Sequence, residues 1–244
     1  MSAATIQHGG EHEAASVLRW VKPPQQARTR EALVRLLDAA EQLVAEKGFD
    51  ETPIVEIARR AGSSVGGFYR RFADKDGLLQ AMHERFCEEA RVTTDDALDP
   101  RRWEGAEAAE ILREVTSFVV QIYREREGLF RAFLHRGVVN EEVQRRQEEL
   151  FEYLSDALER LLADRTDDIT HPDPELGVRF GLRVLLGTLD DTIAVRTSAP
   201  ALDDERLVTE LARMITRYLG VSDAQLDCAR GDGAQDSTKR RKQR

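Results

Sequence analysis

The sequence predicts an all-α protein, and two patterns carry this prediction. Proline breaks helix interiors, and long stretches of the chain are free of it, namely 54–99, 101–171 and 175–199. Apolar residues also recur at intervals of three and four, which is the spacing of one face of an amphipathic helix. One such set is Ile111, Val115, Phe118, Val119 and Ile122. No alternating run typical of a β-strand, and no hairpin turn between two such runs, competes with this pattern.

The composition excludes several other classes of protein. Hydrophobic residues make up 41% of the 244, which is enough to form a folded core. No uncharged apolar run approaches the ~18–20 residues that cross a bilayer, and Glu11 and Glu13 lie where a signal peptide needs its apolar segment. Cys87 and Cys228 lack the paired spacing of a zinc site or a disulfide framework. We therefore expect a cytoplasmic protein with no membrane partner, no metal and no cofactor.

The net charge of −9 is unevenly distributed along the chain. Residues 1–80 carry 11 basic and 11 acidic side chains, whereas residues 81–220 carry 19 basic and 30 acidic ones. Residues 221–244 carry 6 basic and 4 acidic side chains. A phosphate responds to the local field, so a neutral N-terminal unit can still present a basic face to nucleic acid.

The N-terminal third begins with the signals of two helices. The first helix is predicted over Thr29–Lys47, because Gly48 can adopt the left-handed conformation that ends a helix. The second is predicted over Ile54–Arg60, with Thr52 as its N-cap and Pro53 at its first position.

A tight turn separates the second helix from a third. Gly62 permits a positive φ, and either Ser63 or Ser64 can cap a short helix over Val65–Arg71. Asp74 is then expected to cap a long fourth helix. Two short helices joined by a glycine turn are the outline of a helix-turn-helix. An ordinary corner between two helices has the same outline, so this geometry leaves both interpretations open.

Residues 52–79 contain a motif that is more specific than this outline. It has the form Gly-x-Ser-x-Gly-x-(aromatic or aliphatic)-Tyr-x-x-Phe, followed by Lys-(acidic)-x-Leu. The residues that carry it are Gly62, Ser64, Gly66, Phe68, Tyr69, Phe72, Lys75, Asp76 and Leu79. This string, together with 38–40 and 46–49 upstream, closely resembles the DNA-binding domain of the TetR family of bacterial transcriptional regulators. Gly67 departs from the family pattern, which usually has Thr or Ala there, and Ser63 replaces a common aliphatic residue.

Composition and the resemblance together predict four regions, and the resemblance implies a function. We expect a flexible N-terminal arm (1–26), a helix-turn-helix domain (27–74), a ligand-binding and dimerisation domain (75–220) and a flexible basic-ended tail (221–244). It implies a repressor that binds a palindromic, double-stranded operator as a homodimer. A small-molecule effector, whose identity the sequence does not specify, would release it.

The third helix is expected to enter the major groove of DNA. Arg70 is the leading base reader, because a guanidinium can hold guanine O6 and N7 with two hydrogen bonds. A phosphate contact by Arg70 and a packing role for Tyr69 are the alternatives. The predicted DNA-binding set is Arg30, Thr52, Ser63, Ser64, Gly66, Gly67, Tyr69, Arg70 and Lys75.

The acidic block supplies the other predicted sites. Candidates for a ligand pocket are the large apolar residues at helical spacing: Phe86, Trp103, Phe118, Ile122, Phe130, Phe133, Phe151 and Leu154. The last two helices, 175–196 and 205–219, are expected to form a four-helix bundle with a second copy. The predicted interface is Phe180, Val184, Leu189, Ile193, Leu211, Ile215 and Tyr218. Packing of both helices inside one chain is the alternative.

The sequence disfavours two other classes of protein. An enzyme is disfavoured because the sequence has no nucleophile elbow, phosphate-binding loop or HExxH motif, so no catalytic residue is predicted. A helical adaptor that binds protein has no need of Tyr69, Arg70 and Lys75 beside a helix-turn-helix.

Overall fold

A computed structural model describes residues 27–137, 141–194 and 203–222. Within these ranges the chain is helical and contains no β-strand, which confirms the predicted fold class. The α-helices are α1 Ala27–Lys47, α2 Ile54–Arg60, α3 Val65–Tyr69, α4 Lys75–Ala97, α5 Ala108–Glu125, α6 Glu127–Gly137, α7 Glu141–Leu162, α8 Pro174–Ala194 and α9 Asp204–Tyr218. Two short 3₁₀ segments, Pro100–Trp103 and Ala163–Asp168, follow α4 and α7. The predicted N-terminal arm and the tail from residue 223 onward lie outside the described residues.

Local sequence signals set the ends of the first four helices. Gly48 and Gly62 have positive φ angles of 86° and 61°, as the turns after α1 and α2 require. The Ser64 hydroxyl accepts a hydrogen bond from the Gly67 amide and caps α3. The Asp74 carboxylate accepts one from the Gly77 amide and caps α4. The predicted Thr29 start of α1 and Arg71 end of α3 are each off by two residues.

The predicted N-cap of α2 is wrong. The capping position is held by Pro53, which has no side-chain hydrogen-bond group. Thr52 is fully buried, and its hydroxyl donates instead to the Gly48 carbonyl oxygen at 2.7 Å. The buried Thr52 hydroxyl therefore stabilises the turn between α1 and α2.

The molecule has two apolar cores. We call residues 27–74 the head and residues 75–222 the body. The head core packs α1, α2, α3 and the start of α4 around fully buried side chains, including Leu36, Leu37, Leu43, Ile57, Phe68, Phe72 and Leu78. The body core brings together α5, α7, α8 and α9, and α9 packs most extensively against α5.

Helix α6 contributes to both cores, although it lies in the body. Leu129, Ala132 and Phe133 are buried with the head residues, whereas Phe130 is buried with the body residues. A Cβ on Gly128 would stand 2.7 Å from the carbonyl oxygen of Val44 in α1. Glycine is therefore what allows α6 to lie directly against the backbone of α1.

Candidate functional site

The recognition helix α3 packs against the head core on one side and is exposed to solvent on the other. Phe68 and Phe72 are fully buried, with ring centroids 5.1 Å apart, and they anchor the helix in the head core. Tyr69 contacts Phe68 edge to face, yet 49% of its surface is exposed. Arg70, the next residue, is also exposed. The predicted alternative that Tyr69 is a buried packing residue does not fit this exposure.

Two groups of basic residues in the head differ in whether their charge is paired within the protein. Lys47 forms an ion pair with Glu56, and Arg60 with Glu46 at 2.5 Å. Those charges are neutralised within the protein. A second set is exposed and forms no ion pair with any residue that the structure describes: Arg30, Arg59 and Arg70. Such charges are available to neutralise DNA phosphates, which contribute much of the affinity in DNA binding. Arg59 was not among the residues predicted from sequence, because it sits beside Arg60 with nothing local to distinguish them.

The structure requires two corrections to the predicted DNA-binding set. Thr52 is fully buried and its hydroxyl is engaged by Gly48, so it does not reach a phosphate. Gly67 is also buried, and its amide is used by the Ser64 cap. In contrast, Gly66 and Ser64 are exposed and Ser63 is partly exposed.

Lys75 lies at the edge of this surface and is partly buried. Its ammonium donates to the Asp50 carbonyl oxygen at 3.1 Å and lies 4.5 Å from the centroid of the Phe49 ring. Burial lowers the pKa of Lys75, and the Asp50 carboxylate acts in the opposite direction. A phosphate contact by Lys75 stays a prediction.

The body contains a small apolar cavity between α5, α7, α8 and α9. Its volume is about 10 Å³, enough for about one water molecule. It is lined by Leu112, Val115, Thr116, Leu158, Val178, Leu182, Leu185, Ile215 and Leu219. An effector of ordinary size would have to separate these helices to enter.

None of the eight predicted pocket residues lines that cavity. Phe86, Phe130 and Phe133 instead form an aromatic cluster at the junction of α4 and α6, with centroids 5.1 to 6.4 Å apart. Phe118 is 38% exposed on the outside of α5. The other four are partly or fully buried in the body core: Trp103, Ile122, Phe151 and Leu154. The predicted pocket therefore stays a prediction, and Phe118 fits it least.

A polar pair lies beside the aromatic cluster. The Tyr123 hydroxyl donates to the Asp190 carboxylate at 2.9 Å, and the Tyr123 ring stacks on Phe130 at 4.0 Å. Burial raises the pKa of Asp190 and also that of Tyr123. This pair could not be predicted from the sequence, because α5 and α8 meet only in the tertiary structure.

The predicted dimer residues divide sharply by exposure. Leu189, Ile193, Leu211 and Ile215 are at most 6% exposed and pack inside their own body core, so the prediction that they form an interface is corrected. Val184 is partly buried. Phe180 and Tyr218 are 52% and 37% exposed, with ring centroids 5.5 Å apart. Leu176, one turn before Phe180, is 56% exposed and extends the same apolar patch.

The described residues offer neither a metal site nor a membrane-spanning helix. No group of histidine, cysteine, aspartate and glutamate side chains there could hold a metal ion. No helix in the same ranges is both long and apolar enough to span a membrane.

A capped helix-turn-helix with an exposed tyrosine and unneutralised arginines defines a DNA-binding transcriptional regulator. Comparison with known families supports this class and narrows it. Residues 36–82 match the model of the bacterial regulatory proteins of the tetR family. Residues 108–219 match the tetracyclin repressor-like C-terminal domain. The chain belongs to the TetR family of transcriptional regulators.

Individual relatives agree with this assignment. An HTH-type transcriptional regulator from Haemophilus influenzae is 33% identical over 143 residues, which span 55% of this chain and 67% of that protein. A TetR-family regulator from Mesorhizobium loti has the same fold, with a TM-score of 0.64 at 19% identity, covering 80% of this chain and 98% of the other. FadR from Bacillus subtilis, solved with stearoyl-CoA, gives a TM-score of 0.56 at 20% identity over 75% of this chain and 96% of the other. These two structures establish the fold.

Proposed function

We propose that this regulator is a repressor that binds a palindromic operator as a homodimer and leaves it when a small-molecule effector binds. The observation that carries the proposal is the arrangement of exposed side chains at two distant places. Tyr69 and Arg70 project from the head. Leu176, Phe180 and Tyr218 form an apolar patch on α8 and α9 of the body.

The apolar patch is suited to a second copy of the chain. It is carried by two helices, and two such pairs related by a two-fold axis make a four-helix bundle. Gly187 is exposed two turns beyond Phe180, and a Cβ there would meet nothing within 4 Å, so a partner helix can approach the α8 backbone closely. Pairing two bodies would present two recognition helices to successive major grooves, about 34 Å apart.

The effector would bind in the body. FadR of Bacillus subtilis was solved with stearoyl-CoA, and RolR with resorcinol, so proteins of this fold bind both a long-chain acyl-CoA and a small aromatic molecule. In this chain the interior around α5, α7 and α8 is apolar, and the described cavity is nearly closed. We therefore expect a hydrophobic effector that separates these helices. It must bind the opened arrangement more tightly than the closed one, because otherwise it would not change the affinity for DNA.

Two helices would carry the change to the head. Helix α4 begins in the head core with Leu78 and Leu79 and continues into the body. Helix α6 packs on α1 through Gly128, and at its other end Arg136 pairs with Asp50 at 2.5 Å and with Asp76 at 3.1 Å. A displacement of α6 by an effector would therefore act on α1 and α4 together.

A binding experiment on the protein's own upstream DNA tests this proposal. Full-length protein is titrated against labelled fragments of that region at several salt concentrations, with and without a panel of small hydrophobic compounds. We expect one fragment to bind far better than random DNA, as a complex of two chains, and at least one compound to weaken that binding. Preference for no sequence, or a single chain per site, would contradict the repressor proposal. A compound that strengthens binding would instead indicate effector-dependent repression.

A further inference from the structure

A carboxylate inside the body lacks a cationic partner. Asp190 on α8 is partly buried, and it accepts a hydrogen bond from the Tyr123 hydroxyl of α5 at 2.9 Å. It forms no ion pair with any residue that the structure describes. Withdrawing an ionised carboxylate from water is costly unless a positive charge compensates it. A neutral hydroxyl compensates the charge of Asp190 only in part.

Carboxylates on the neighbouring helices are treated differently. Glu127 on α6 forms an ion pair with Arg131 of the same helix. Asp204 on α9 forms one with Arg124 of α5, with an N–O distance of 2.7 Å. Arginines are therefore available in this part of the body, yet none of those described pairs with Asp190. A charge left in this state is a candidate for binding a group supplied by a ligand.

Aromatic rings adjoin this carboxylate. The Tyr123 ring stacks on Phe130 with centroids 4.0 Å apart, and Phe130 meets Phe86 edge to face at 5.1 Å. An organic cation is attracted both to a carboxylate and to the faces of aromatic rings. A metal ion instead needs several oxygen, nitrogen or sulfur ligands, and the described residues contain no such group. The surroundings of Asp190 therefore favour an organic cation.

The position of the apolar cavity indicates the shape of such a ligand. Thr116 on α5 and Leu185 on α8 line the cavity, and Tyr123 and Asp190 follow them on the same two helices. With a rise of 1.5 Å per residue, the carboxylate lies ~8–10 Å beyond the cavity along these helices. The helical segments between the two points carry apolar residues of the body core: Val119, Val120, Leu186 and Leu189. A ligand with one charged end and an apolar body of this length would match both points.

We propose that the effector is an elongated organic cation whose charged end binds Asp190 beside Tyr123, and whose apolar body lies between α5 and α8 and reaches the cavity. The cation supplies the positive charge that Asp190 lacks. The apolar body separates α5 from α8, because the cavity is too small to hold it. This inference rests on the proposed release by an effector, and it adds the chemical class and the orientation of that effector.

The test uses three probes that share an eight-carbon chain and differ in charge at neutral pH: octylammonium, 1-octanol and octanoate. Isothermal titration calorimetry measures their binding to the full-length protein. Asp190→Asn removes the charge but keeps an oxygen that can accept the hydrogen bond from Tyr123. Asp191→Asn is the matched control, because it removes the charge of the next residue, which is exposed. Thermal unfolding checks that each variant folds.

We expect the wild type to bind octylammonium about tenfold or more tightly than the other two probes, because only octylammonium pairs with the carboxylate. Asp190→Asn should weaken octylammonium binding roughly ten- to a hundredfold and change 1-octanol binding by no more than about twofold. Asp191→Asn should change neither. The comparison of the three probes on the wild type does not require any variant to fold.

The link to DNA is measured with the operator fragment that the wild type selects. Octylammonium should release the wild type from this fragment at lower concentrations than 1-octanol does, and it should act less on Asp190→Asn.

Each failure has a distinct meaning. Equal binding of the three probes, or equal losses in Asp190→Asn and Asp191→Asn, would overturn the cation site. Binding of octylammonium that depends on Asp190 but leaves the affinity for DNA unchanged would overturn its assignment as the effector site. Failure of the wild type to select any DNA sequence would overturn the repressor proposal. The probe titrations need no DNA, so they distinguish that failure from a failure of the cation site.

Discussion

Replacing His83 should reveal an acid-sensitive contact at the junction between the head and the body. His83 lies on α4, is 4% exposed, and meets the ring of Phe133 on α6 edge to face at 4.8 Å. Its Nδ1 lies 3.4 Å from the buried Arg146 guanidinium on α7 and 3.8 Å from the Cys87 sulfur. Burial, and secondly the charge of Arg146, lower the pKa of His83 to about 4.

The magnitude follows from the linkage between protonation and folding. A pKa that falls from 6.5 in the unfolded chain to about 4 in the folded one corresponds to about 3 kcal/mol. The folded state prefers the neutral ring, so the unfolded chain binds the proton more readily. The contribution is therefore fully present above pH ~6.5 and is lost progressively as the pH falls toward 4.

Urea unfolding between pH 7.5 and 4 measures this effect. The free energy of unfolding of the wild type should fall by up to about 3 kcal/mol more than that of His83→Gln, because carboxylates elsewhere contribute equally to both. His135→Gln is the matched control, since His135 is exposed on α6. Parallel curves for the wild type and His83→Gln would refute the reasoning, and so would an equal effect of His135→Gln.

Three further predictions concern the apolar patch, Lys75 and the ion pairs of Arg136. Phe180→Glu places a charge on the exposed apolar patch, and a symmetric dimer would contain this charge twice. Dimerisation should weaken by roughly 2–4 kcal/mol, measured by analytical sedimentation. An unchanged dimer would show that the interface lies elsewhere. Lys75→Ala should weaken binding to all DNA sequences alike and lower the salt slope by about one, and a sequence-dependent loss would show that Lys75 reads bases. Arg136→Gln removes the ion pairs to Asp50 and Asp76. The effector should then weaken DNA binding less than it does in the wild type, by a factor of up to about five, because exposed ion pairs contribute ~0–1 kcal/mol. An unchanged response to the effector would exclude this contact from the coupling.

The helices of the head were predictable because their signals are local. The bounds of α2 and the caps at Ser64 and Asp74 follow from residues adjacent in sequence. The recognition motif also lies within one short segment, so its exposed Tyr69 and Arg70 could be named in advance. Thr52 shows the limit of this reasoning, since its threonine-proline context is a good capping signal, yet burial of the turn against α1 redirected its hydroxyl to Gly48.

The sites of the body were less predictable because they depend on contacts between distant segments. Tyr123 and Asp190 are 67 residues apart in sequence and meet only when α5 packs on α8. Apolar spacing identifies which face of a helix is buried, but it does not reveal whether that face packs inside the chain or against a second copy. For this reason Leu189 and Leu211 were assigned to an interface, whereas they lie in the core.

The amino-acid sequence by itself determined that this chain is helical, that it carries a recognition helix, and which family it resembles. Those properties depend on helix periodicity, capping and glycine turns, which act over a few residues. Only the tertiary structure decided that Asp190 lies beside Tyr123, that α6 belongs to both cores, and that Phe180 and Tyr218 remain exposed. These properties depend on which surfaces meet, and burial is set by the packing of whole helices rather than by the residues next to one another along the chain.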